Sequence, residues 1–259
     1  MAKFFKMLAK YWDLFFITGL GNTLLLTAIG VAVGLVGGVL LTLPRQLMES
    51  SPSKQKAGGF KLRLGRTVVT PMQLLVWLCN GYVEIIRGTP ILLQLYLFYF
   101  VLPQVLPFLK LSQFVWVSIA LCVNSSAYVS EVIRSGIQAV DKGQTEAARS
   151  LGLSESQTMM KIILPQAVRN ILPALGNEFI MMLKETSLAS TFFLGDLMTS
   201  YSIVKGVTYL TLEPMTIVAI IYLCMTFPLS KIVEKFEKKM ASPNSYKKRK
   251  RKLMNGGKF

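Results

Sequence analysis

Apolar residues in this chain gather in long runs, not in the narrow stripe of a surface helix or the alternation of a half-buried strand. The first run occupies residues 14–43, which exceeds the roughly 20 residues that cross a bilayer as a helix. It is too long for a signal-peptide core and has no evident cleavage site, so it reads as a retained span. Gly30, Gly34 and Gly38 recur within it every fourth residue. That spacing puts small residues on one face where a neighbouring backbone can approach, although glycine is also simply common in membrane helices. Residues 1–13, with Lys3, Lys6 and Lys10, read as an N-terminal interfacial segment.

A basic, polar stretch follows over 44–66, where Ser50-Ser51-Pro52-Ser53 and Gly58-Gly59 mark irregular chain. Thr70-Pro71 supplies an N-cap and a proline at the first helical position. Apolar sequence then continues to residue 102, interrupted by Glu84, Arg87 and Gly88-Thr89-Pro90. One long helix kinked at Pro90 fits this better than two crossings turned within three residues, because proline removes a hydrogen bond without reversing the chain. Further spans are expected at 113–133, 171–194 and 214–232. The fold class is therefore all-α integral membrane: five transmembrane helices within 14–240, a polar elbow at 138–165, and a basic tail over 241–259.

Composition agrees with this pattern. The chain is 52% apolar and 16% charged, with 29 basic against 13 acidic residues and a mean hydropathy of +0.48. A soluble domain of this length needs more polar surface. The basic residues sit between apolar runs or in the tail, which excludes a nucleic-acid-binding face. Lys and Arg number 6 over 44–68, 5 over 134–172 and 10 from 235 onward, against only Lys3, Lys6, Lys10, Lys110 and Lys205 on the other side. This bias places the N-terminus outside and the C-terminus inside, with the tail touching anionic lipid. Histidine is absent. Cys79, Cys122 and Cys224 lie in separate apolar stretches and read as small core residues, with no metal-ligand spacing.

The elbow carries the most specific pattern. Asp141 with Gln144 three residues on marks a helix start; Glu146-Ala147-Ala148-Arg149-Ser150-Leu151 is good helix sequence, and Gly152 is placed to close it. Ser154-x-x-Gln157 is a second capping box ahead of Met159, Ile162, Leu164 and Pro165. The expectation is two short cytosolic helices with a glycine hinge. Ala147 and Ala148 would offer a shallow face to a partner groove, and Glu146 would meet a basic group there.

At these residues the chain resembles the permease subunits of binding-protein-dependent ATP-binding-cassette importers. Their signature, Glu-Ala-Ala, three residues, Gly, nine residues, Ile-x-Leu-Pro, is met by Glu146-Ala147-Ala148, Gly152, Ile162 and Leu164-Pro165. The likeness extends over about 19–239 and points to the polar amino acid branch, through Tyr82-Val83-Glu84-Ile85-Ile86-Arg87-Gly88-Thr89-Pro90, Asn124-Ser125-Ser126-Ala127-Tyr128 and Leu183-Lys184-Glu185-Thr186-Ser187-Leu188. Ser125-Ser126 departs from the small pairs of many relatives; the 44–68 loop and the tail look extended. The resemblance implies a type I importer transmembrane domain in the bacterial cytoplasmic membrane, whose partners are ATPase subunits, a second permease subunit, an extracytoplasmic binding protein and an amino acid substrate. No cofactor would be bound by this chain; ATP and Mg would sit on the partner ATPase. In agreement, the sequence has no Gly-x-x-x-x-Gly-Lys-[Ser/Thr] phosphate loop. The residues implied in ATPase coupling are Glu146, Ala147, Ala148, Gly152, Leu164 and Pro165.

Ionisable residues within a membrane are costly and need a reason. Glu84 with Arg87, and Glu131 with Arg134, are spaced to neutralise each other on one helix face; Lys184-Glu185 sits in the fourth run. They admit two readings: internal pairing that stiffens the bundle, or a pathway lining suited to a zwitterion. On the second reading the candidates are Glu84, Arg87, Thr89, Gln94, Asn124, Glu131, Lys184 and Glu185, with backbone groups freed at Gly88-Thr89-Pro90 available to the substrate. An ion-gradient-driven transporter or channel also explains the spans but gives the elbow no role. A membrane-embedded enzyme lacks any catalytic cluster to support it.

Overall fold

A computed structural model describes residues 2–49, 62–64 and 67–240; the basic tail from 241 and the Ser-Pro and Gly-Gly stretches of the first loop lie outside the described residues. The chain opens with α1 (Ala2–Lys10), a π-helical segment Asp13–Gly19 and α2 (Leu20–Glu49). The 44–68 stretch is not all loop, as the sequence suggests. α2 runs through Pro44 to Glu49, because the turn beyond the proline is anchored from the side: Arg45 Nη1 donates to Ser130 Oγ at 3.0 Å. Next come β1 (Leu62–Leu64) and β2 (Thr67–Val69), a short antiparallel hairpin pairing Leu62 with Val69 and Leu64 with Thr67 in an otherwise helical fold.

Thr70 begins α3 (Pro71–Gly88) with a complete capping box: its side chain accepts from Gln73 N while Gln73 Oε1 accepts from Thr70 N. The expected single kinked helix is contradicted. α3 is followed by α4 (Ile91–Tyr96), a π-helical segment Leu97–Val101 and α5 (Leu102–Val105), and the axis turns by 105° at the break. Thr89, preceding Pro90, is extended at φ −117°, ψ 144°, as the proline ring demands of its predecessor. With Gly88 ahead of it the helix stops and restarts, whereas proline alone would bend it.

α6 (Gln113–Gln138) leads to α7 (Lys142–Ser150) and α8 (Glu155–Thr158), then through a π-helical segment Met159–Ile163 into α9 (Leu164–Glu185), a 3-10 turn Thr186–Phe192, α10 (Leu197–Thr208) and α11 (Leu212–Met240). Among the described residues three helical rods are long and apolar enough to cross a membrane, Asp13–Met48, Gln113–Gln138 and Leu212–Met240, or four if the bent pair is one span. The fourth run expected at 171–194 is shifted: the helix enters earlier, from the polar elbow, and carries Asn177, Glu178, Lys184 and Glu185.

Small residues set how the rods pack. Cys122 Sγ reaches Ile29 O at 3.7 Å, a Cβ on Gly34 would overlap Ser125 Oγ, and one on Gly38 would lie 2.5 Å from Val129 Cγ1. Rising numbers on both helices make α2 and α6 parallel neighbours at backbone contact, as the Gly-x-x-x-Gly spacing predicts. α9 runs antiparallel to α6, since Gly136 faces Ile171 and Asn170 while Gly30, further up the pair, faces Met182. α11 opposes α9 in turn, with Gly176 against Val233 and Leu172 near Phe236.

Two apolar cores result. One joins Leu26, Leu95, Val117, Leu121, Met182 and Phe192; the other seats Met7 of α1 and Phe15 against Leu197, Tyr201, Ile217 and Ile221. A polar seam ties the start of α2 to α10: Asn22 Nδ2 donates to Leu194 O and Gly195 O, each at 3.2 Å, and Thr23 Oγ1 accepts from Leu197 N at 3.1 Å. Large apolar residues stay exposed on the outer faces of α2, α3 and α11, among them Leu40, Trp77, Leu78, Leu223 and Phe227. Cys79 is buried as expected, whereas Cys224 is exposed on α11 and is no core residue.

Candidate functional site

The elbow between α6 and α9 is built by local rules. Asp141 Oδ1 accepts from Gly143 N at 2.8 Å, opening α7. The helix closes in a Schellman arrangement: Leu153 N donates to Ala148 O at 3.1 Å and Gly152 N to Arg149 O at 3.0 Å. Gly152 holds φ at +83°, a conformation that a Cβ disfavours. Ser154 and Gln157 then exchange the two hydrogen bonds of a capping box, at 2.9 and 3.2 Å. From Glu155 onward the chain is helical through Pro165 into α9, so the second elbow helix and the following rod form one lever instead of two pieces. Gln166 Nε2 meets Gln144 Oε1 at 3.3 Å and holds that lever to α7.

Of the elbow residues singled out from sequence, Glu146, Ala147, Gly152 and Pro165 are exposed and Leu164 is half-buried. Ala148 differs. It is 4% exposed and packs inward, so the two alanines do not share an outer face. Leu151, 82% exposed beside the glycine hinge, projects outward instead.

Thr89, Gln94 and Asn124 come together at the break between α3 and α4. A helix end leaves carbonyls without amide partners, and here Gln94 takes them up. Its Nε2 donates to Ile86 O at 2.7 Å, Thr89 Oγ1 at 2.9 Å and Thr89 O at 3.2 Å; its Oε1 accepts from Asn124 Nδ2 at 3.0 Å. Thr89 Oγ1 adds a bond to Ile85 O at 2.9 Å. Gln94 and Asn124 are both 3% exposed. The Ile85, Ile86 and Thr89 carbonyls freed by the break are thus taken up by side chains of the same chain.

The charged candidates are rearranged. Glu84 and Arg87 form no ion pair. Glu84 is exposed, and Arg87 Nη1 instead reaches Glu131 Oε2 at 3.7 Å. Arg134 clasps the same carboxylate as the spacing predicts, its Nε at 3.0 Å from Oε1 and its Nη2 closer still. A third guanidinium, Arg45 of α2, lies 3.6 Å from Oε2. Sequence reasoning missed Arg45 because it stands next to Pro44 in an apparent loop. Lys184 and Glu185 belong elsewhere: they follow Met182 at the level of Leu121, whereas Glu131 lies nearer the other end of α6. Glu178, buried in α9 at 6% exposure with Oε1 unpartnered, was also passed over; a lone acid within an apolar run was its only signal.

Apolar rods at backbone contact, a helix broken inside the bundle and a capped elbow leading into a lever define a membrane transport domain. The model for binding-protein-dependent transport system inner membrane components matches residues 69–242, and the chain belongs to that family. It is 36% identical over 228 residues to the arginine transport system permease protein ArtQ of Bacillus subtilis (strain 168), covering 88% of this chain and 93% of that protein. It is 32% identical over 224 residues to the glutamine transport system permease protein GlnP of Escherichia coli (strain K12), covering 86% and 92%. The crystal structure of an amino acid ABC transporter with histidines is similar at 39% identity and TM-score 0.76, over 90% of this chain and 96% of that one. An inward-facing MetNI methionine ABC transporter, at 16% identity and TM-score 0.64 over 88% and 97%, shares the fold.

Proposed function

We propose that this chain is the membrane-spanning subunit of an ATP-driven amino acid importer in a bacterial cytoplasmic membrane. It crosses five times, N-terminus outside and C-terminus inside, counting the broken α3–α5 element and α9 as spans. The alternating directions of α6, α9 and α11, and the parallel pairing of α2 with α6, support that count. A second permease subunit completes the pathway, a binding protein delivers substrate from outside, and ATP with Mg is held by a separate ATPase.

The observation that carries the reading is the elbow, with Glu146, Ala147 and Leu151 exposed around a left-handed Gly152 and one rigid lever behind it. A groove on the ATPase would grip this surface, and closure of the ATPase pair would swing α9 between two states. The permeases named for arginine and glutamine, and the transporter solved with histidines, favour a polar amino acid as cargo. Glu84, Arg87 and Lys184 are the exposed members of the charged candidates, and of these Glu84 and Lys184, which join no ion pair among the described residues, are offered to a zwitterion. The test is uptake into liposomes containing the complex, with the binding protein supplied. Glu146→Lys is expected to lower ATP-driven uptake about tenfold at equal membrane levels. Undiminished uptake without the ATPase would overturn the reading in favour of a gradient-driven carrier.

A further inference from the structure

Resting on that importer reading, we infer that Glu131 and Arg87 form a slack electrostatic tether that passes motion from the elbow to the helix break, and that neither contacts substrate. Glu131 lies seven residues before the end of α6 at Gln138, about 10 Å along the axis, and α7 begins four residues beyond that end. Arg87 is the residue before Gly88-Thr89-Pro90, where the chain turns by 105°. The pair therefore connects the rod feeding the elbow to the only broken helix pair among the described residues.

The three guanidiniums on Glu131 are not equivalent. Arg134 is hydrogen-bonded to it from the same helix. Arg45 is held independently by Ser130 Oγ at 3.0 Å and is 10% exposed at its side chain. Arg87 approaches at 3.7 Å, beyond hydrogen-bond length, and its side chain is 43% exposed. Its guanidinium also lies 5.7 Å from the centre of the Tyr128 ring, one turn away on α6. Ion pairs at this separation and cation–π contacts weaken gradually with distance and tolerate changes of angle. Arg87 can thus slide between Tyr128 and Glu131 while remaining attracted to α6. Three cations on one carboxylate leave surplus positive charge, and the most exposed cation is the one that leaves most easily. Arg45 and Arg134 fix the carboxylate; Arg87 is the moving member.

The experiment uses the complete transporter with its ATPase and binding protein in liposomes, reading uptake KM, maximal uptake and substrate moved per ATP hydrolysed. Arg87→Gln is expected to lower substrate moved per ATP about fivefold with KM unchanged. Arg87→Lys should restore most of it, because a non-directional contact needs charge and not the guanidinium fork. Glu131→Gln, which also releases Arg45 and Arg134, should lower coupling at least as much, and adding Arg87→Gln to it should cost nothing further. A raised KM with unchanged coupling would make Arg87 a substrate contact, and additive losses would make the two residues independent; either overturns the tether. Since Arg87 is exposed, its two variants decide the matter even if Glu131→Gln assembles poorly. Uptake by the unsubstituted complex that ignores ATP would instead refute the importer reading.

Discussion

Replacing Gly38 with alanine places a methyl carbon 2.5 Å from Val129 Cγ1, 2.7 Å from Val129 Cβ and 2.9 Å from the Ser130 backbone nitrogen. Carbon atoms rest at about 3.5–4.0 Å, so the overlap is about 1 Å. Two of the three atoms struck are a Cβ and a backbone nitrogen, and a helical valine holds one rotamer; no side chain can swing clear. α2 and α6 must therefore part locally by about 1 Å, which stretches the Thr42 Oγ1 contacts to Ser130 O and Oγ, now 3.2 and 3.1 Å, out of hydrogen-bond range. Overpacking costs about 1–3 kcal/mol and the lost bond about 1 kcal/mol, against a gain of about 1 kcal/mol from alanine's helix propensity. The net destabilisation is about 1–3 kcal/mol. Gly21→Ala on the same helix is the control, because nothing lies within 4 Å of its added methyl and it should gain up to about 1 kcal/mol. At roughly 2–4 °C per kcal/mol for a chain of this size, the thermal midpoints of the two purified variants in detergent should differ by roughly 2–16 °C. Midpoints that coincide, or a more stable Gly38→Ala, would show that α2 and α6 are not in backbone contact.

Gly152→Ala forces a Cβ into the left-handed region in open surroundings, at a cost of about 1 kcal/mol. It should depress ATP-driven uptake more than Gly152→Asn, which tolerates that conformation, and equal uptake by the two would remove the hinge from the argument. Gln94→Ala leaves the buried Asn124 amide without its partner, about 1–3 kcal/mol, and the Ile86 carbonyl with only the long contact from Thr89 Oγ1 at 3.4 Å. It should lower the thermal midpoint, and Asn124→Ala should cost less in that background than alone; independent effects would mean that the two side chains do not form one unit.

Short-range rules made the elbow legible. A cap needs only its own oxygen and an amide two or three residues on, so Asp141, Ser154 with Gln157, and Gly152 could be placed without knowing what surrounds them. The Gly30, Gly34 and Gly38 spacing likewise announces a close neighbour, although not which one. Ion pairs did not yield to the same reasoning. Glu84/Arg87 and Glu131/Arg134 share one spacing, yet only the second pair forms. Spacing on a helix grants an opportunity, and Arg87 has a better one: α3 ends one residue later, leaving its side chain beside a carboxylate 44 residues away in sequence. Arg45 joins the same carboxylate because α2 continues past Pro44, and what carries it onward is packing against α6, which no local pattern reveals. The break is hidden for a related reason. Proline alone implies a kink, whereas the turn joins three things: Gly88, an extended Thr89, and a glutamine four residues beyond Pro90 that takes up the Ile86 and Thr89 carbonyls.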